Sequence, residues 1–214
     1  TKELDDAKTR ELIHGYCAAV SYMDAQVGRL IAALDETGLA KNTVIVLWGD
    51  HGYYLGDYGE WCKHTTYEVA AHVPLIIAAP GLPKNQRTKA LTELVDLFPT
   101  ICDLSGNHIP KSLHGLSLKP VLNDPAAKWR EGAFSQYFKS KRGAGKVLGT
   151  SVRTDRYRYT EWRKKDHTGK LEDITLIDFQ GNHHQNVAAD PVHRAALKKL
   201  AELAKKSGSG IQPK

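Results

Sequence analysis

Asp50 and His51 stand side by side after the apolar run "NTVIVLW", and Lys63 and His64 follow in the same segment, "VLWGDHGYYLGDYGEWCKH". A carboxylate at the end of a strand offers an oxygen ligand to a hard divalent cation, and the adjacent imidazole adds a neutral nitrogen ligand or a proton-transfer group. Asp50 capping its own loop is the competing reading at this point. The ammonium of Lys63 and the imidazole of His64 suit an anionic ester, one neutralising charge and the other carrying a proton, although a lysine in such a place also serves as ordinary solvated surface. Gly52, Gly56 and Gly59 permit sharp turns, while Trp48, Tyr53, Tyr54, Tyr58 and Trp61 offer amphipathic walls suited to a sugar ring.

These residues need a scaffold, and the surrounding periodicities describe one. Between about residues 10 and 37, Leu12, Ile13, Tyr16, Val20, Met23, Val27, Leu30, Ile31 and Leu34 recur at three- and four-residue steps, with Gly38 as a stop signal, which predicts a long amphipathic helix. Residues 42–50 are apolar without alternation, the pattern of a parallel strand covered on both faces, and this places Asp50 at the strand's carboxyl end. Residues 73–81 form a second buried strand, and 92–106 a helix with Pro99 in its interior. Helix, strand, loop, strand, helix is an α/β order, whose ligands bind in the crevice outside the carboxyl ends of the strands. Beyond residue 125 the segments 132–138, 150–162 and 174–179 read as an antiparallel meander, and 191–207 as a terminal helix packing Val192, Ala195, Leu197, Leu200 and Leu203 on one side. The expected organisation is an α/β part at 1–125, a small α+β subdomain at 126–207 with an antiparallel sheet and a terminal helix, and a flexible tail at 208–214.

The 214 residues carry 30 Lys and Arg against 24 Asp and Glu, a formal charge of +6 without dense basic blocks. That pattern argues against a nucleic-acid partner and favours anionic small molecules or polyanionic glycans. Cys17, Cys62 and Cys102 are odd in number and widely spaced, so they support neither a disulfide framework nor a zinc knuckle and are expected as buried thiols. No apolar stretch is long enough to span a bilayer. The chain begins at Thr1 with no signal peptide, which leaves its compartment open and suits a processed chain or a fragment. His14, His72, His114, His183 and His184 read as structural or surface groups.

The stretch "TVIVLWGDHGYYLGDYGEWCKHTTYEVAAHVPLIIAAPG" resembles the carboxyl-terminal half of the sulfatases of the alkaline phosphatase superfamily, and among them the iduronate-2-sulfatase-like branch. Those enzymes share an [SG]DHG-x-x-LG-[DE]-x-G-E-W-x-K pattern followed by a V-P-L-I strand. "VDLFPTICDLSG", "FSQYF", "SVRTDRYRYTEW" and "LIDFQGNHHQNVAADP" are similar to the segments that follow it, so the likeness covers almost the whole chain. At the end, residues 180–185 replace the family's usual acidic positions, and no site role is assigned there.

The resemblance implies an alkaline-phosphatase-like open sheet with helices on both faces. It implies that Asp50 and His51 ligate a divalent cation, normally Ca2+, that Lys63 contacts the sulfate group, and that Trp61 and His64 border the substrate, His64 as a candidate acid. His51 is the less secure ligand, because calcium prefers oxygen; whether it binds the cation or only borders it stays open. The family's nucleophile is a formylglycine made within a C/S-x-P-x-R motif. None of the three cysteines has a proline two residues on, so this chain alone is expected to be catalytically incomplete. The remaining expectations are an amino-terminal half or companion chain, self-association through an exposed sheet in an isolated fragment, a sulfated carbohydrate as substrate, and a lysosomal, periplasmic or secreted location. Two alternatives stand beside this reading: a phosphate or phosphonate ester hydrolase of the same superfamily, and a non-catalytic module that binds sulfated glycans.

Overall fold

The protein is described by a computed structural model at residues 4–141, 145–166 and 168–208. Its chain divides into two compact units, one made of Thr1–Lys63 and Val73–Leu82, the other of His64–His72 and Pro83–Lys214.

In the first unit, α1 (Asp6–Glu36) begins where the Asp5 side chain accepts the Lys8 amide at 2.8 Å, satisfying one of the donors that a helix start leaves open. It ends at Gly38, whose φ of 71° is the left-handed conformation that glycine adopts without a Cβ penalty. β1 (Ile45–Trp48) leads towards Asp50, β2 (Tyr54–Leu55) and β3 (Trp61–Cys62) form a short hairpin, and β4 (Leu75–Ala78) returns beside β1. β1 and β4 run antiparallel, from Ile45 opposite Ala78 to Trp48 opposite Leu75, which corrects the expected parallel pairing. A continuous apolar run does not encode strand direction, and the expected burial of both strands is not met by this chain.

Nothing in β1, β4 or α1 is fully buried. Ile76 is 60% exposed, and the apolar stripe of α1 leaves Tyr16, Val20, Met23 and Leu30 exposed. The thiols depart from expectation too: Cys17 and Cys62 are exposed and Cys102 is half-buried, because Cys17 lies on α1, which buries none of its residues, and Cys62 on the short hairpin.

The second unit opens with α2 (Glu68–Ala71) and continues through a 3-10 turn at Leu94–Asp96 into α3 (Leu97–Leu104), then α4 (Lys119–Asn123). Pro99 therefore falls in the first turn of α3, not its interior, where its missing N–H leaves no intrahelical bond unmade. The fully buried Asp96 joins several loops: it accepts from the Glu93 amide at 2.8 Å, the Leu116 amide at 2.9 Å and the Arg130 guanidinium at 2.7 Å. Gly115 lies so close to this turn that a Cβ on it would stand 1.9 Å from the Val95 carbonyl oxygen.

β5 (Ala133–Lys141), β6 (Gly145–Arg153), β7 (Tyr157–Lys164) and β8 (Leu171–Asp178) form an antiparallel four-stranded sheet in sequential order, the meander that the sequence predicts. α5 (Arg194–Ala204) packs Leu200, Leu203 and Ala204 against Val152, Tyr159 and Leu176. Val192 is 77% exposed and Ala195 is exposed, contrary to the predicted stripe; Ala196 takes that place, because Pro191–His193 is a 3-10 turn and helical phase begins only at Arg194. The opposite face of the sheet carries a partly buried ion cluster. Glu68 meets Arg158 at 2.6 Å and Arg153 at 3.0 Å, and Arg158 also donates to the Thr66 carbonyl at 3.1 Å. Gly208 ends a final 3-10 turn, and the rest of the predicted tail lies outside the described residues. No helix among the described residues is long and apolar enough to cross a membrane.

Candidate active site

The site is built where β1 runs out. The Gly49 amide donates to the Pro74 carbonyl at 3.1 Å, continuing the β1–β4 pairing by one bond, and a Cβ at Gly49 would crowd Val73 at 3.3 Å. The chain then leaves the strand with Asp50, whose side chain is 81% exposed. Its Oδ1 accepts the His51 amide at 2.9 Å, and its Oδ2 lies 3.4 Å from His51 Nε2. His51 Nδ1 is 2.9 Å from the Gly52 carbonyl oxygen. A carbonyl only accepts, so Nδ1 carries the proton and Nε2 presents its lone pair.

The hairpin brings Lys63 to that lone pair. Tyr54 pairs with Cys62 and Leu55 with Trp61, and the turn between them closes through Gly56 N–H to the Glu60 carbonyl at 3.1 Å. Gly56 (φ 106°), Tyr58 (φ 58°) and Cys62 (φ 72°) all take left-handed conformations, the last two uncommon for residues with a side chain. This turn sets Lys63 Nζ directly against His51 Nε2, the ammonium donating to the ring nitrogen. The Tyr53 hydroxyl lies 3.6 Å from Cys62 Sγ, which pushes the Tyr53 phenol above its ordinary value, and the Tyr53 ring stacks on Tyr16 of α1 with centroids 5.5 Å apart.

Asp50, His51 and Lys63 are thus brought together as a carboxylate, an imidazole and an ammonium. Trp61 is half-buried, its ring passing within 3.7 Å of where a Gly56 Cβ would be, so it braces the turn as well as facing outward. Tyr54, predicted as a sugar-facing wall, is fully buried and is a core residue. His64 belongs to the second unit, where its ring lies 6.0 Å from that of Tyr137. As for a cation, Asp50 offers carboxylate oxygen and His51 its Nε2, whose one lone pair the Lys63 ammonium takes in this arrangement, so the donor chemistry fits once Lys63 is drawn off to another anion. These are two donors, and no three His, Cys, Asp or Glu side chains converge among the described residues, so the other oxygens of a full shell would come from beyond this set.

Sequence reading missed the Glu68 cluster. Two arginines close in sequence are its only trace there: the register that sets Arg153 opposite Arg158 across β6 and β7, where like charges are destabilising without a carboxylate between them, is displayed only by the folded sheet. Burial pushes the Glu68 carboxyl up, but the Arg158 and Arg153 guanidiniums outweigh it and hold the group below its ordinary value.

Residues 1–107 match the family model described as sulfatase, and residues 56–208 the model described as N-sulphoglucosamine sulphohydrolase, C-terminal. Iduronate 2-sulfatase of Homo sapiens is 34% identical over 81% of this chain and 41% of its own length. A sulfatase of Formosa agariphila is 33% identical over 74% of this chain and 30% of its own. Among solved structures, the phosphonate monoester hydrolase of Silicibacter pomeroyi superposes with a TM-score of 0.76 at 36% identity, covering 89% of this chain and 39% of that one. A structure solved in complex with its substrate D-glucosamine-2-N,6-O-disulfate superposes with a TM-score of 0.85 at 25% identity, covering 98% and 43%. The fold is that of the alkaline-phosphatase-like sulfatases, and the chain belongs to the sulfatase family. It spans under half the length of each of these relatives.

Proposed function

We propose that this chain is the carboxyl-terminal part of a sulfuric ester hydrolase acting on a sulfated carbohydrate, with an iduronate-2-sulfatase-like substrate preference. The observation that carries the reading is the contact of Lys63 with His51 beside Asp50, at the end of a strand in a chain of this family. Residues 1–125 would complete the α/β part of a longer protein and 126–207 form its small α+β subdomain. The nucleophile, a formylglycine, would lie outside these 214 residues, and the protein would work in a lysosomal, periplasmic or secreted setting.

In this reading Lys63 pairs with a non-bridging oxygen of the sulfate group and offsets negative charge as the S–O bond breaks. His51, held by Gly52, presents one Nε2 lone pair, which the Lys63 ammonium takes in this arrangement and which would pass to the cation when the cation is bound. Asp50 and His51 would hold the divalent cation, calcium in our assignment, which supplies Lewis-acid polarisation of the sulfate oxygens. His64 would protonate the leaving alcohol, and Trp61 would offer its ring face to the sugar.

The similarity to a phosphonate monoester hydrolase favours one second reading, phosphate or phosphonate ester hydrolysis by the same site. Two measurements on the native protein separate them: peptide mass spectrometry for a C/S-x-P-x-R peptide with its Cys or Ser converted to formylglycine, and turnover of a 2-O-sulfated uronate disaccharide against a phosphonate monoester. The sulfatase reading expects the modified residue and faster sulfate release. An unmodified residue together with preferred phosphonate turnover would replace it with the second reading.

A further inference from the structure

On the face of the four-stranded sheet that α5 covers at one end, the strands run on past the helix and leave an open cleft at the other. Its volume is about 380 Å3, and it is lined by Phe138, Lys139, Ser140, Lys146 and Lys165. That volume falls within the range of about 300–1,000 Å3 typical of small-ligand sites.

Register explains the composition. Ser140 pairs with Lys146 and Phe138 with Leu148, and side chains alternate between faces, so Phe138, Ser140 and Lys146 point to one side. Lys165 follows the end of β7 and is tied to β6 by its amide, which donates to the Lys146 carbonyl at 2.9 Å. Its ammonium lies 4.9 Å from the centroid of the Phe138 ring. Phe138 is 53% exposed, Lys146 and Lys165 are exposed, and no carboxylate among the described residues lines the cleft. An aromatic face flanked by two ammoniums and a hydroxyl matches an anionic sugar residue: the ring meets the apolar C–H face, and the ammoniums meet sulfate or carboxylate. Packing of Lys165 against Phe138 also limits the rotamer freedom that binding must remove.

We infer that this cleft is a second binding site for a sulfate- or carboxylate-bearing saccharide residue, built from Phe138, Lys146 and Lys165 and sharing no residue with the Asp50, His51 and Lys63 group. The inference deepens the sulfated-carbohydrate reading and rests on it for the identity of the ligand.

Affinity measurements on the 214-residue chain test it, with a sulfated heparin-derived tetrasaccharide as the probe, an unsulfated heparosan tetrasaccharide and a short single-stranded DNA as comparisons, and thermal melting to verify each fold. In K146A/K165A the affinity for the sulfated probe is expected to fall by roughly 10-fold at about 0.15 M salt, in F138A by roughly 3-fold, and in K111A, an exposed lysine outside the cleft, by less than either. Unchanged affinity in both cleft variants with a normal melt overturns the site. Equal affinity of the wild-type cleft for DNA overturns the saccharide assignment. Hydrolysis of a small sulfate ester by the native protein reports separately on the catalytic reading: turnover without cleft-dependent binding removes this inference alone, and cleft-dependent binding without turnover upholds the site while removing the hydrolase.

Discussion

The Lys63 ammonium donates to Nε2 of His51, and the Gly52 carbonyl, accepting from Nδ1 at 2.9 Å, leaves that nitrogen free to receive it. A backbone carbonyl therefore decides which ring nitrogen faces the site. At neutral pH, long-range 15N–1H correlation spectra are expected to show His51 protonated at Nδ1 and bare at Nε2. The opposite tautomer would mean that Lys63 and His51 do not meet as described.

The Glu68 cluster predicts acid sensitivity. With its carboxyl held below its ordinary value of 4.5 in the folded chain, Glu68 contributes stability that is full above that pH and is lost as pH falls through the lower folded value. Glu68→Gln removes the carboxylate from Arg158, which is only 4% exposed, and is expected to cost about 3 kcal/mol at pH 7. Denaturant midpoints of wild type and variant should converge as pH drops below 4.5. A constant gap between them would contradict the linkage.

Two glycines are expected to respond in opposite directions. Gly115→Ala places a methyl group 1.9 Å from the Val95 carbonyl oxygen, a backbone clash expected to cost more than about 3 kcal/mol. Gly15 lies within α1 with nothing within 4 Å of an added Cβ, so Gly15→Ala is expected to stabilise the 214-residue chain by up to about 1 kcal/mol. Thermal melts of both variants check the contrast.

Apolar side chains left uncovered on α1, including Tyr16, Val20 and Met23, and on the β1–β4 pair, Trp48 and Ile76, predict that the isolated chain associates with itself. Sedimentation velocity at increasing concentration should show oligomers. A monodisperse monomer at all concentrations would contradict this.

Much of the fold is legible in the sequence because it rests on local signals. The three- and four-residue recurrence ending at Gly38 marks α1, and the alternating segments after residue 125 mark the sheet. What the sequence hides depends on pairing over distance. The direction of β4 against β1 leaves no trace in an apolar run. The burial of Tyr54 follows from packing that its Gly- and Tyr-rich surroundings do not announce. At the candidate site, adjacency and motif single out Asp50, His51 and Lys63 as candidates, whereas the Lys63 contact with His51 needs the left-handed turn at Tyr58 and Cys62. The cleft of Phe138, Lys146 and Lys165 depends on a register between strands that only the folded sheet displays.

The central claim is that Lys63 meets the group being cleaved. Its most direct test is kcat/KM of the native protein and its Lys63→Ala and Lys63→Arg variants on a 2-O-sulfated uronate disaccharide. Loss of a charge-stabilising donor is expected to lower the rate by about 10²–10³-fold in the alanine variant, with arginine restoring part of it and melting temperatures unchanged. Wild-type turnover by Lys63→Ala would show that the ammonium does not touch the reacting sulfate and would remove the basis for the proposed site.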